Sequence, residues 1–365
     1  MEGAGAPGAA AQPGRKPPAQ MAAATALSSR RGLAAARRAR PLRALGRVPA
    51  RPAARERVRV RDGAARAAAR ASAYLLFARL FRREVSPDLA PMLADLPELG
   101  DALPSPFDVE AAAAEHHRLF ALQVPPYAGV FQDPEGRIGG APATVVRGLY
   151  ARAGLEVDER SEEADHIAHA LTLLAELGER PKLAAEALDR ALLGWLPWLV
   201  ETVERHGSPF HRVLAELTLD LAVDHRAELP ALPPPPASTE PLDDPLADER
   251  AGLARIAEWL VTPARSGLYL AREDMRRLAA GEALPTGFGG RADSLETLLR
   301  AGAELGGLER VLEGLGALVE SGRAHCAALE RVGVPALAPV VALRRERLER
   351  TAGVLERLRA AVTPA

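Results

Sequence analysis

Residues 162–167 read EEADHI and run directly into AHALTLLAELGE. Two glutamates, an aspartate and a histidine within five positions can hold a metal, move a proton, charge a helix start or accept an arginine. Asp165 and His169 are four apart, a spacing that puts two ligands on one helical face. Glu115-His116-His117 offers a third ligand, but neighbours on a helix point in different directions, and no HExxH occurs. Acids in a first helical turn are also what the helix macrodipole favours. Residue types alone leave these readings open.

Other chemistries lack their residues. A single cysteine, Cys326, excludes an internal disulfide and a cysteine-based zinc site, and suits a reducing compartment. No GxSxG occurs to carry a Ser/His/Asp hydrolase. No GxGxxG follows a strand into a helix, and no GxxxxGK[ST] occurs, so no phosphate cradle is evident. The segment PPYAGVFQDPEGRIGG (125–140) is a Pro/Gly-dense loop. Its Tyr127 and Phe131, on a backbone stiffened by Pro125 and Pro126, either fold back onto the core or line a groove, and the groove is the expectation. Apolar walls about 30 residues ahead of an acidic helix start describe a site for a peptide with hydrophobic residues next to arginine.

The elements that must position these residues are helices. ASAYLLFARLFRREV places Tyr74, Phe77, Leu80 and Phe81 on one face, with Ser72 as the expected N-cap. Further helices are expected in SPDLAPMLADL, over 107–122, over 143–155 with Gly154 as its stop, and over 162–178. In the last of these, Ile167, Ala170, Leu171, Leu174 and Leu177 form the apolar stripe. Asp165, His169, Thr172 and Glu176 fall on the opposite face, with His166 at the border. Two or three more helices follow to about 228. LPALPPPPASTEPLDDPLA (229–247) is a semi-rigid proline-rich linker. Asp244-Pro245 is then expected to open a helix in N-cap and N1 order, with later helices near 271–280, 291–303, 305–331 and 336–361. Only short runs such as SGLYL (266–270) hint at strands, so the fold class is all-α.

The 365 residues, 48% of them apolar, suffice for one large or two modest domains. Residues 1–71 carry 16 Lys and Arg against three Asp and Glu, so with −1 on the whole chain the remainder carries −14. Rich in Ala, Arg, Pro and Gly, residues 1–71 are expected to be a disordered basic tail, with 64–70 extending the first helix. A solvated extension is the plain reading of this tail; a tether to nucleic acid or an anionic membrane is the sharper one. The acidic remainder repels nucleic acid and attracts basic partners. No stretch of about 18 uninterrupted apolar residues exists to span a membrane. Ser29-Arg30-Arg31-Gly32-Leu33 looks like a twin-arginine signal, but AAARRARPLRALGR follows where an apolar run should.

Four stretches, in order, resemble the TorD/DmsD family of cytoplasmic redox-enzyme maturation chaperones. They are YLLFARLF (74–81), PPYAGVFQDPEGRIGG (125–140), EEADHI (162–167) and WLPWLVETVERHGSPFHRVLAEL (195–217). The second is similar to the family's PPYxSVY/F loop, the third to its E-P-x-D-H motif. Glu163 stands where that motif has proline, and Gly129 where the loop has serine. LVTPARSGLYLAREDMRRLA (260–279) resembles a C-terminal extension of longer members. The resemblance implies a helical chaperone domain over 72–228, the linker at 229–245 and a helical extension over 246–365. It implies a cytoplasmic, non-enzymatic chaperone with no catalytic residue, metal or cofactor. Such a protein binds the twin-arginine signal peptide and body of an apo molybdopterin oxidoreductase subunit. It assists cofactor insertion and delays export until maturation is complete. Tyr127, Phe131, Glu162, Asp165 and His166 would form the peptide site: the acids for guanidinium, the aromatics for the apolar part, the histidine for the peptide or for Asp165. A swapped homodimer is a further family property that the proline-rich hinge permits. The rival reading is a helical metal-dependent hydrolase built on Asp165, His166 and His169 with His116 or His117.

Overall fold

A computed structural model describes residues 52–178, 180–233, 244–247 and 252–362, with side chains from 63 to 361. Those residues form helices joined by turns, with one isolated antiparallel bridge pairing Tyr127 with His166. The all-α expectation holds, and SGLYL is not a strand.

Helix α1 (Pro52–Arg82) begins 20 residues ahead of the expected cap, so Ser72 lies inside it. Its first half is rich in Ala and Arg, which rank among the best helix formers. The expected tail therefore lies outside the described residues only as far as 51; from Pro52 on it is helix. The second half of α1 buries Tyr74, Phe77, Leu80 and Phe81. The short α2 (Ala90–Ala94) and α3 (Pro97–Ala102) follow, each opened by a proline in its first turn. Next come α4 (Val109–His117), which relaxes into a π-helical turn over Arg118–Gln123, and α5 (Ala128–Gln132). Helix α6 (Ala141–Ala153) ends on Gly154 at φ 70°, the left-handed cap that glycine adopts without a Cβ clash.

Helix α7 (Ile167–Glu176) packs against α1, and starts five residues later than expected. Glu162, Glu163 and Asp165 thus precede the helix rather than charging its first turn. Helices α8 (Pro181–Ala187), α9 (Leu196–His206) and α10 (Pro209–Ala227) close the first half of the chain. Tyr74 Oη and His225 Nδ1 meet at 3.0 Å, tying α1 to the end of α10.

Beyond the proline-rich stretch, residues 244–247 form a turn in which Asp244 Oδ1 accepts from Leu246 N at 2.9 Å. The expected N-cap is thus a turn pinned to the C-terminal helix by the Asp244–Arg357 ion pair at 2.8 Å. The remaining helices are α11 (Leu253–Leu260), α12 (Pro263–Ser266), α13 (Arg272–Ala280), α14 (Arg291–Leu305), α15 (Leu308–Val332) and α16 (Ala338–Val362).

This half shares one hydrophobic core with the first. Tyr269 Oη donates to the Gln123 carbonyl at 2.6 Å. Asp274 meets Arg205 at 2.9 Å and His206 Nε2 at 3.0 Å. Arg344 on α16 pairs with Glu201 on α9, both buried, and its guanidinium lies 5.3 Å from the centre of the Trp198 ring. Glu201→Ala leaves a buried guanidinium without its acid and should cost about 3–5 kcal/mol, read from urea denaturation. Arg344→Met with Glu201→Leu should recover most of that loss, because an apolar pair has no charge to desolvate. A near-neutral Glu201→Ala would contradict the pair's role in joining the two halves.

Candidate functional site

Two segments, 125–140 and 159–169, make the site, and their backbones hold each other. Ile167 N donates to the Pro126 carbonyl, and Ala128 N to the Asp165 carbonyl, each at 2.9 Å. Pro126 has no N–H to give, so only its carbonyl enters the pairing. The Asp165 side chain fastens both ends of the loop. Its Oδ2 accepts from Gly129 N at 2.9 Å and its Oδ1 from Gly139 N at 3.1 Å. Gly139 sits at φ 77°. A Cβ on Gly129 would collide with the Arg137 carbonyl oxygen and lie 2.7 Å from Asp165 Oδ2. That close approach explains why this loop carries glycine where the resembling loop has serine. Between the anchors, Asp133 Oδ1 accepts from Glu135 N at 2.9 Å and Arg137 N at 3.3 Å, shaping the DPEGR turn.

The five expected site residues are placed differently from one another. Asp165 is 2% exposed, not on an outer polar face, and both its oxygens are bound by backbone N–H groups. Burial raises its carboxyl pKa, against the lowering effect of those two bonds. His166, 3% exposed, caps α7 by accepting from Ala168 N at 3.1 Å through Nδ1. Burial, with the Arg82 charge behind it, pushes its pKa down to about 3, so the ring is neutral. Phe131 was expected on a groove wall; its ring is fully buried, stacked on Trp195 at 5.5 Å and near Tyr269 at 5.3 Å. Tyr127 is half-buried, its ring edge-on to His166 at 4.8 Å, and its hydroxyl donates to Glu162. Burial, then the bond to Glu162, raises the phenol pKa. Glu162 is half-buried and Glu163 exposed.

His169 is also inside, at 2% exposure, its Nε2 3.2 Å from the Glu162 carbonyl oxygen. Its own carbonyl accepts from Tyr150 Oη at 2.8 Å. The polar-face expectation holds for Glu176, which is exposed, and fails at Asp165 and His169, the latter covered by the Glu162 backbone. Residues not singled out from sequence complete the rim. Glu159 holds Arg147 at 2.6 Å, Glu163 holds it at 3.3 Å, and Glu159 also accepts from Ala164 N at 3.1 Å. The acid-dense run EVDERSEE (156–163) was the available signal for them.

For the hydrolase rival, the donor atoms are turned away from any shared point. Asp165 faces two amides, His166 Nδ1 a third, and His169 Nε2 a carbonyl. His116 packs edge-on to Phe120 at 5.1 Å. Among the described residues no three His, Cys, Asp or Glu side chains are grouped to hold a metal.

The clamped loop and the acid-rich segment lie inside a stretch with known relatives. Residues 85–216 match the family model described as nitrate reductase delta subunit. Over those residues the chain is similar to maturation chaperones of the TorD/DmsD type. The match covers the 125–140 loop, EEADHI and nearly all of the 195–217 stretch, and begins after YLLFARLF. No curated protein and no solved structure matches the chain. The family is one of molybdoenzyme assembly chaperones. In this chain the E-P-x-D-H-like aspartate and histidine build the frame of the site, while Tyr127, Glu162, Glu163 and Glu159 form its half-buried to exposed edge. No helix among the described residues is long and apolar enough to cross a membrane.

Two outcomes follow from this frame. His166 has a depressed pKa, so the unfolded chain takes up its proton first as pH falls. Its stabilising contribution is present above about 6.5 and is lost toward about 3, at a slope of about 1.4 kcal/mol per pH unit. Urea midpoints measured from pH 7 to pH 4 should fall, and His166→Asn, which keeps a capping side chain, should flatten the slope by about one proton. An unchanged slope would place the uptake elsewhere. Gly129→Ser, which restores the side chain of the resembling loop, should lower stability by about 1–3 kcal/mol through overpacking. A stable Gly129→Ser protein would show that the Arg137 carbonyl yields easily.

Proposed function

We propose that this chaperone binds the twin-arginine signal peptide of a molybdopterin oxidoreductase subunit in the cytoplasm, and that it holds the subunit back from export until its cofactor is inserted. The observation that carries this reading is an ordered edge of acids beside a half-buried tyrosine. Tyr127 is fixed by His166 and Glu162, and Glu159 and Glu163 already grip one guanidinium, that of Arg147. The edge is therefore shaped for arginine, and carboxylate–guanidinium bonds are its natural currency. Asp165 and His166 act by holding the two segments together, while Glu162, Glu163 and Glu159 meet the ligand. The −14 carried by residues 72–365 steers a basic peptide toward it.

The test is fluorescence anisotropy of labelled synthetic twin-arginine signal peptides with the full chain. The double variant Glu162→Gln/Glu163→Gln should weaken binding about tenfold and make it less sensitive to salt, with the urea midpoint unchanged. Equal affinity of variant and wild type would remove these acids from the peptide site.

A further inference from the structure

The peptide reading leaves the apolar part of the ligand without a seat. Phe131 is interior, and Tyr127 is committed to His166 and Glu162. A different surface has the right character. Helix α6 buries Ala143, Val146, Tyr150 and Ala153 on its inner side. On its outer side Ala141, Thr144, Val145 and Gly148 line an open, largely apolar groove of about 430 Å³, ending at Arg152 and Arg190. Positions 141, 144, 145 and 148 share one helical face. Their side chains are small, so another backbone can come close. A Cβ placed on Gly148 meets no atom within 4 Å. From Ala141 to Arg152 the helix rises about 16 Å, enough for about three turns of a docked helix.

Charge decides what fits this groove. The 156–163 segment carries five acids against one arginine, and its Glu159 and Glu163 reach α6 at Arg147. The three side chains of that contact are 43%, 34% and 53% exposed, so the contact is weak and exchangeable. Five residues further along α6 Arg152, with Arg190 beside the groove, shares the single acid Glu186, at 2.7 and 2.9 Å. The groove is thus an apolar floor with an acidic flank and a cationic end.

We propose that the outer face of α6 seats the apolar segment of an arginine-bearing peptide. The peptide arginines replace Arg147 on Glu159 and Glu163, on the flank of the groove. This rests on the peptide reading above and assigns a second surface to the same ligand. Arg147 is then an internal stand-in for the ligand's guanidinium.

The experiment uses the full chain and a panel of synthetic twin-arginine signal peptides, each with an Arg-Arg to Ala-Ala control. Gly148→Leu, whose Cβ has open space, and Thr144→Glu, at an exposed position, should each weaken binding at least tenfold with an unchanged urea midpoint. Arg147→Ala should tighten it several-fold by freeing two carboxylates. A benzophenone amino acid introduced at Val145 should crosslink to the apolar residues of the peptide. If wild type binds and the groove variants bind equally well, the groove assignment is overturned and the peptide reading stands. If no peptide in the panel binds wild type, both fall. Crosslinking to residues 29–36 of the chain itself, in place of the peptide, would make its own SRRGL segment the occupant and overturn the assignment.

Discussion

The Asp165 carboxylate, buried between two loop amides, is the contact on which the rest of the site depends. One oxygen holds Gly129 at the start of the 125–140 loop, and the other holds Gly139 at its end. With two backbone bonds at Pro126 and Ala128, it turns a Pro/Gly-dense loop into a fixed wall. A buried carboxylate is costly unless its lone pairs are satisfied, and these two N–H groups satisfy it without a counter-cation. The arrangement sorts the conspicuous residues by task. Those that look most chemical, Asp165 and His166, are framework. Those that look like ordinary surface charge, Glu159, Glu162 and Glu163, are accessible to a ligand.

The C-terminal half is part of the same physical system. Tyr269 lies against Phe131, and its hydroxyl reaches the Gln123 carbonyl at the entrance to the loop. Arg265 Nε donates to the Pro134 carbonyl within the loop itself, at 2.7 Å. The helices after the proline-rich stretch thus brace the back of the 125–140 loop and bury Phe131. The extension thereby fixes the loop.

Much of the fold was legible in the sequence. The helices at Arg272–Ala280, Arg291–Leu305, Leu308–Val332 and Ala338–Val362 follow 3.6-residue periodicity bounded by Gly and Pro, and Gly154 stops α6 as a left-handed cap should. The start of α1 was not legible, because an Ala/Arg run has too few apolar residues to read as ordered yet high intrinsic helix propensity. The start of α7 was missed because residues 165–167 pair with residues 126–128, a non-local bond that no window along the chain contains. Phe131 was misplaced for the same reason, since its cover comes from Trp195 and Tyr269, which are 64 and 138 positions away. Candidate residues were found by type, and their roles were decided by what packs on them.

The most direct measurement is titration calorimetry of the full chain against twin-arginine signal peptides and their Ala-Ala counterparts at low and moderate salt. Tight binding to a peptide, lost in its Ala-Ala control and weakened by salt, is the predicted result, because the accessible edge offers carboxylates to guanidinium. Equal binding of a peptide and its control would contradict the account, since an edge that ignores the two arginines is not an arginine site.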